Sequence, residues 1–238
     1  MPDFADIWSY LAQGPLVWLT LTLVAYVIGD SVAEQAARHP AANPVLIAVI
    51  VLAAMLWASG TPYATYFQGA QFVHFLLGPA TVSLAIPLHA QGRRLRRAVL
   101  PVAAGLTVGS LVAVGSALLI ARALGVDAAT LASLAPKSTT APVAIGIAQS
   151  LGGSPTLAAV LVILTGISGA LIATPLLNAL GIRDWRARGL AVGTAAHGIG
   201  TARALQVHPT AGAFAGIGMG LNAVLTALLA PLILRLLG

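Results

Sequence analysis

The stretch Leu134-Ala-Pro-Lys137-Ser-Thr-Thr-Ala-Pro142 decides how this chain is read. It sets the only lysine of the protein among helix-breaking and hydroxyl-bearing neighbours, and an apolar run follows. A second stretch of like design comes later, Gly193-Thr-Ala-Ala-His197-Gly-Ile-Gly-Thr-Ala-Arg203. Each follows a short helix-like segment and precedes a long apolar helix. Those long helices end alike, in Thr174-Pro-Leu-Leu-Asn-Ala-Leu-Gly181 and Ala230-Pro-Leu-Ile-Leu-Arg-Leu-Leu-Gly238. A shift of 56 residues (231 minus 175) lays Pro175 on Pro231 and Ser138 on Thr194. The pattern reads as an internal duplication, with the working site where the two polar breaks meet.

Composition sets the solvent. Of 238 residues, 58% are hydrophobic and 8% charged, with a mean hydropathy of +0.94. A soluble domain carries about 25% charged residues, so this surface faces lipid. No Asp, Glu, Lys or Arg occurs from Ile7 to Gly29, from Ala98 to Ala121, or from Ser138 to Ile182. Each gap exceeds the roughly 20 residues that a membrane-crossing helix needs. The net charge of +6 does not indicate nucleic acid, because the arginines sit in short clusters between apolar runs, as orientation signals do. There is no cysteine, so disulfides, thiolate metal sites and cysteine nucleophiles are excluded. The acidic start, with Asp3 and Asp6, does not resemble a signal peptide, and the first apolar run is expected to be retained.

Helices are expected at about Pro15–Ala37, Pro44–Ser59, Gln71–Ala90, Val99–Leu124, Ser154–Leu180 and Gly212–Leu237. The aromatic, turn-rich segment from Gly60 to Gly69 reads as a loop at a membrane face. Gly78-Pro79 and Pro87 would kink or split the third helix. Gly105, Gly109 and Gly115, and again Gly212, Gly216 and Gly220, are expected to permit close helix contact.

Topology follows from the arginines. The cluster Arg93-Arg94-Leu-Arg96-Arg97 belongs in the cytoplasm by the positive-inside rule; its plain reading is a solvated loop, with lipid head-group binding second. The later cluster Arg183, Arg186 and Arg188 falls on that side only if Asp127–Ser150 dips in and returns, with its tip at Pro136–Thr140. Asp184–Gln206 then becomes a second such hairpin, entering from the cytoplasm. One hairpin plus one helix inverts on repetition, and inverted repeats meeting through broken helices are an architecture of secondary transporters. The expected fold is therefore an all-α integral membrane protein of about six transmembrane helices plus two re-entrant hairpins. Residues 1–125 would form a scaffold, and residues 126–181 and 182–238 the two repeats of a transport core.

Irregular backbone at membrane depth is tolerated only where protein or water covers it. Lys137, with Ser138, Thr139 and Thr140, offers an ammonium, hydroxyls and half-helix N–H groups, which together suit a small anion. The alternative is that Lys137 snorkels to an interface and the hydroxyls cap a helix. An ionisable residue inside the membrane favours binding. The second break offers Thr194, His197, Thr201 and Arg203. Arg203 can grip a carboxylate bidentately; His197 is either a hydrogen-bond donor or proton carrier, or a satisfied structural residue. Asn222, on the last helix, is a further candidate for the pocket. Gly193, Gly198 and Gly200 do not form a dinucleotide fingerprint, since no strand precedes them and the spacing differs. No hydrolytic triad or metal cluster is visible, and an enzyme is not expected.

These motifs, with Leu151-Gly-Gly-Ser-Pro, Arg188-Gly-Leu-Ala-Val-Gly-Thr-Ala-Ala-His-Gly-Ile-Gly-Thr-Ala-Arg-Ala and Gly78-Pro79-Ala-Thr-Val-Ser-Leu-Ala-Ile-Pro87-Leu, resemble the LrgB/CidB family over most of the chain. Ala141 and Gly198 stand where other small or polar residues are expected. The resemblance implies one of two functions. The first is a holin- or antiholin-like regulator of murein hydrolases and lysis, acting with a small LrgA/CidA-type partner. The second, from relatives similar to a plastid glycolate and glycerate carrier or linked to pyruvate uptake, is transport. The residues favour transport of a small anion, a carboxylate or phosphate, and with the resemblance the expectation becomes a secondary transporter of small monocarboxylates in the inner membrane. Lys137 and Arg203 would neutralise the carboxylate, and the hydroxyls would bind its hydroxyl or keto groups. A proton or a sodium ion is left open as the coupling ion, and a homodimer is the expected assembly.

Overall fold

The protein is described here from a computed structural model, in which residues 14–39, 42–83 and 98–237 are described. These residues form nine α-helices and no strand. They are α1 (Pro15–Gln35), α2 (Pro44–Ser59), α3 (Tyr63–Ser83), α4 (Val99–Ala123), α5 (Ala128–Leu134), α6 (Ala141–Ser150), α7 (Pro155–Ala179), α8 (Trp185–Val207) and α9 (Pro209–Leu237). The chain divides into two compact units, Met1–Ser83 and Leu84–Gly238.

In the first unit, proline opens α1 and α2 at the start of the helix, where its missing N–H would have no partner anyway. Asn43 caps α2 by accepting from the N–H groups of Val45 (2.9 Å) and Leu46 (3.2 Å). Gly60 ends that helix in the left-handed conformation, φ 64°, a conformation that costs glycine nothing. A Cβ on Gly29 would stand 2.4 Å from the Pro44 carbonyl oxygen, so α1 and α2 meet backbone to backbone. The stretch expected as a loop after Gly60 is helical from Tyr63 onward. Its aromatics explain why: Tyr63 lies 5.8 Å from Tyr66 and 5.7 Å from Phe67, ring centroid to ring centroid. Those are the i+3 and i+4 neighbours of a helix face. Pro79 sits inside α3; Pro87 and the Arg93–Arg97 cluster lie outside the described residues.

The second unit is built around α4 and α9, which run side by side in one direction. Ala98 and Val102 pack with Phe214 and Ile217 near their starts, and Ser110 bonds Asn222 at mid-length. Val114, Leu118 and Ala121 meet Ala230 near their ends. The helices α5 and α6 belong to that far end, since Leu131, Ala135 and Ile147 complete the same cluster. Side-chain caps open three helices here: Asp127 on α5, Ser154 on α7 and Asp184 on α8, each satisfying an N–H that the helix leaves unpaired.

The helix α8 is not continuous. Ala196 (φ −125°, ψ 15°) and His197 (φ 40°, ψ −132°) interrupt it, and the chain turns back there. Before the break, Gly189 lies against Ala211 and Gly193 against Ala215; after it, Thr201 reaches Met219 and Leu205 lies against Gly212. The two halves therefore run in opposite directions along α9, and Trp185 ends up stacked on His208 at 4.7 Å. A short helix, a break, a second helix and a long helix thus occur twice, once through α5–α7 and once through α8–α9.

Within the second unit, α4 packs on α8 and α9. The close contacts on α9 also involve other glycines. A Cβ on Gly220 would meet nothing within 4 Å, whereas on Gly218 it would stand 2.8 Å from the Leu190 oxygen. A Cβ on Gly189 or Gly193 would stand 2.1 Å or 2.0 Å from the carbonyl oxygen of Ala211 or Ala215, so these two glycines let α8 and α9 meet backbone to backbone. Among the described residues, α1, α4, α7 and α9 are long and apolar enough to cross a membrane. They carry exposed side chains such as Leu23, Val112, Ile120, Leu164 and Leu228. Such faces are stable against acyl chains and not against water.

Gly193→Ala is expected to destabilise the protein by about 3 kcal/mol or more, because the added methyl meets backbone that no rotamer change can clear. Gly115→Ala, where a Cβ meets nothing within 4 Å, should be neutral or mildly stabilising. Thermal melts of the two detergent-solubilised variants decide the point; equal melts would mean that α8 and α9 are not in backbone contact.

Candidate functional site

The two breaks are joined by one side chain. Asn222, fully buried on α9, donates one amide hydrogen to the Ser138 carbonyl and the other to the Thr194 carbonyl, both at 3.0 Å. Its oxygen accepts from the Ser110 hydroxyl of α4 at 2.6 Å, and from Thr226 at 3.4 Å. The carboxamide is thus used up by protein, and Asn222 positions the breaks rather than offering itself to a ligand. An amide supplies two donors and an acceptor with two lone pairs, and all four are engaged.

At the first break the chain winds through residues 135–140 in tight turns, with Lys137 N–H to Leu134 and Thr139 N–H to Pro136. Ser138 and Thr139 are buried, while Lys137 and Thr140 are half-buried. The Lys137 ammonium lies 3.2 Å from the Ser138 hydroxyl and within electrostatic reach of His197 on the other break. The Thr139 hydroxyl donates to the Pro136 carbonyl at 3.1 Å. Thr140 starts α6 without a side-chain cap, which leaves the first N–H groups of that helix without a side-chain acceptor.

At the second break, His197 is buried and its Nε2 lies 2.8 Å from the Val162 carbonyl of α7. Its φ of 40° is a conformation that side chains other than glycine rarely adopt,. Bare backbone on α7 makes the room: a Cβ on Gly166 would stand 2.6 Å from the imidazole, and one on Gly169 2.3 Å from the Ala196 methyl. The Thr201 hydroxyl donates to the His197 carbonyl at 2.7 Å, closing the strained turn. Thr194 is buried, and its hydroxyl has no hydrogen-bond partner in the protein.

The structure does not bring Arg203 to this meeting point. It lies further along the returning half of α8, lining a cleft of about 20 Å³ with Thr174, Trp185, Arg188 and Val192. The Arg188 side chain is buried and bonds the Asn178 side chain at 2.8 Å and the Ile182 carbonyl at 3.0 Å. Its guanidinium sits 5.0 Å over the Trp185 ring, a cation–π contact that strengthens on desolvation. The sequence reading used Arg188 only as an orientation signal; it also ties α7 to α8. Next to it, outside the membrane-spanning segments, Arg186 holds the Asp184 carboxyl down to about 2 through side-chain and backbone N–H bonds. Both charges of this pair are present at neutral pH, and its contribution is full above the ordinary carboxyl value of 3.8 and lost progressively as the pH falls from there through about 2,.

The matching protein-family model is the LrgB-like family, over residues 22–236. The chain belongs to the LrgB-like family. Among curated relatives, "Holin-like protein CidB" of Staphylococcus epidermidis is 31% identical over 221 residues, covering 93% of this chain and 96% of that protein. "Uncharacterized protein YxaC" of Bacillus subtilis is 35% identical over the same shares, 93% and 96%. A protein of Haemophilus influenzae is 33% identical over 82% of this chain and 84% of its own length. No solved structure matches the chain. Family membership and four apolar spans make this a multi-pass membrane protein, consistent with the plasma membrane. Two members of the arrangement around Asn222 were not legible in the sequence, Ser110 and Gly218. Ser110 is one of several small polar residues in an apolar helix, and only its pairing with Asn222 distinguishes it.

Asn222→Leu should destabilise by about 2–4 kcal/mol, since it leaves buried carbonyl and hydroxyl groups unsatisfied at about 1–3 kcal/mol each. Ser110→Ala removes only one bond and should cost about 1 kcal/mol. Chemical denaturation of the two variants in detergent gives the ranking; an Asn222→Leu protein as stable as the parent would sink the central role of the amide.

Proposed function

We propose that this LrgB-like protein is a secondary transporter of small monocarboxylates, such as glycolate, glycerate or pyruvate. The observation that carries the reading is the junction of two chain breaks on Asn222, buried at mid-length of the spanning helices. Broken helices meeting inside the membrane are what such carriers build sites from. The positions of α5–α6 and α8 at opposite ends of the α4–α9 pair support two re-entrant hairpins entering from opposite faces, as an inverted repeat requires. The substrate carboxylate would face the Lys137 ammonium and the first turn of α6, and Ser138, Thr139, Thr140 and Thr194 would bind its hydroxyl or keto group. His197 would take part as donor or proton carrier if a proton is coupled. Arg203, in its separate cleft, is left out of the first contacts. No catalytic chemistry is required.

The rival reading rests on the printed name of relatives such as CidB, "Holin-like protein". On it, the chain would regulate lysis with a small membrane partner and carry no substrate. Uptake of labelled glycolate and pyruvate into proteoliposomes, beside release of a trapped dye of several hundred daltons, separates the two. Saturable uptake with the dye retained supports a carrier; dye release supports a pore.

Lys137→Ala is expected to lower uptake about ten- to a hundredfold, the worth of one lost charged hydrogen bond, with the melting temperature unchanged. Arg203→Ala should reduce uptake less. Full uptake by the Lys137→Ala protein would remove the anion site from the first break.

A further inference from the structure

The α8 hairpin is also fastened at its open end, away from the break. Trp185 begins its entering half and His208 follows its returning half. Their two rings lie parallel to within 2°, with centroids 4.7 Å apart. His208 has a second task. Its carbonyl accepts the first helical bond of α9, from the Gly212 N–H at 3.0 Å, and its ring Nδ1 accepts the Thr210 N–H at 3.1 Å. It is thus the N-cap of α9, a place that usually goes to Ser, Thr, Asn or Asp. Those side chains keep their acceptor across the physiological pH range, whereas imidazole changes charge within it. A neutral imidazole has one donor and one acceptor nitrogen, and the charged ring has two donors. The Thr210 bond therefore requires a neutral ring with its hydrogen on Nε2.

We propose that His208 is a pH-sensitive latch on the α8 hairpin, closed while its ring is neutral and released by a proton from the face that carries the arginines. A proton on Nδ1 turns the acceptor into a donor aimed at another donor, so the cap is lost and the ring has to turn. The new charge also finds no partner. The charged groups at this end are Arg183, the Asp184–Arg186 pair, Arg188 and Arg203. The one carboxylate among them is held by Arg186. The Arg188 guanidinium already stands 5.0 Å over the Trp185 ring, so a second cation on that indole meets a like charge. The helices α7 and α9 pack on this end through Leu177, Ala211 and Ala215. Of these, α7 carries no Asp, Glu, Lys, Arg or His, and α9 only Arg235, in its last turn at the far end. The start of α9 is itself the positive end of a helix dipole. The sign follows: the latch is complete in alkaline medium, and its contribution is lost as the pH falls. His208 is half-buried and precedes the last span, so protons from the water on that face reach it without crossing lipid. The latch does not depend on what the protein carries.

Two readouts of the full chain in lipid nanodiscs test it, each taken at pH 8 and at pH 5. One is the fluorescence of Trp185, obtained as the difference between the parent and Trp185→Phe. The other is hydrogen exchange of residues 205–213, corrected for the intrinsic effect of pH. On acidification the Trp185 signal should change, and the segment should exchange about five- to tenfold faster, the worth of one lost side-chain cap. His208→Asn keeps a capping acceptor that does not titrate, so its segment should exchange slowly at both pH values. His208→Ala has no acceptor and should exchange fast at both. Asp184 is silent in this window, since its carboxyl is held down to about 2. Should the Asn variant not fold, His208→Ser serves in its place. A parent that does not respond to acid in either readout, or a capped variant that responds as the parent does, would overturn the latch. Uptake measured beside these keeps the two readings apart: a working latch in a protein that takes up no acid ends the carrier alone, and uptake without a latch ends the latch alone.

Discussion

The second unit depends on one carboxamide. Asn222 holds the main-chain carbonyls of Ser138 and Thr194, which belong to two segments that leave the helical path. A broken helix frees carbonyl and N–H groups that lipid cannot satisfy, at several kcal/mol each. Covering them with protein is therefore a condition for having the breaks at all. Asn222 meets that condition for both with a single group, and Ser110 and Thr226 fix its orientation from the oxygen side. The helices α4, α9 and the two breaks are thus arranged around one polar point in an apolar interior.

The rest of the packing follows from making that point reachable. For the α8 halves to lie along α9 and still present Thr194 to Asn222, the backbones must come close, and Gly189, Gly193 and Gly218 make that possible. For His197 to occupy its unfavourable φ, the facing stretch of α7 must be bare, and Gly166 and Gly169 are there. The imidazole then bonds the Val162 carbonyl, and Thr201 holds the His197 carbonyl. Strain at a single residue, over-determined by its neighbours, is typical of working sites rather than of scaffold.

Much of this was legible in the sequence, and the physical reason differs from part to part. The helix ends were readable because Pro15, Asn43-Pro44 and Ser154-Pro155 are start signals with a mechanism. The breaks were readable because polar, helix-breaking residues in a lipid-facing chain need a reason to be there. The aromatic segment after Gly60 was misread because turn residues outweighed the i, i+3, i+4 spacing of Tyr63, Tyr66 and Phe67. Arg203 was placed with Lys137 by analogy of position, but chain distance past the break decides depth, and one and a half turns carry it elsewhere. Asn222 was legible as a candidate for the pocket, but a single sequence does not reveal that four groups converge on it. Which glycines touch was equally hidden, because that depends on the rotation of α8 about its axis.

The same junction bears on the choice between carrier and pore. Two breaks locked through Asn222 cannot drift continuously, because moving either one strands a buried carbonyl. An interior of that kind tends to have discrete arrangements rather than a graded opening. In the described structure a cavity on the Arg186 side reaches as far as Thr194, while residues of α5 and α6 pack against α4 and α9 at the other end. A lytic pore needs a continuous wet path through the assembly, and it gains nothing from closing one end with an apolar cluster. A carrier needs such a closed end in every state, and an exchangeable set of hydrogen bonds at the centre to move it from one side to the other.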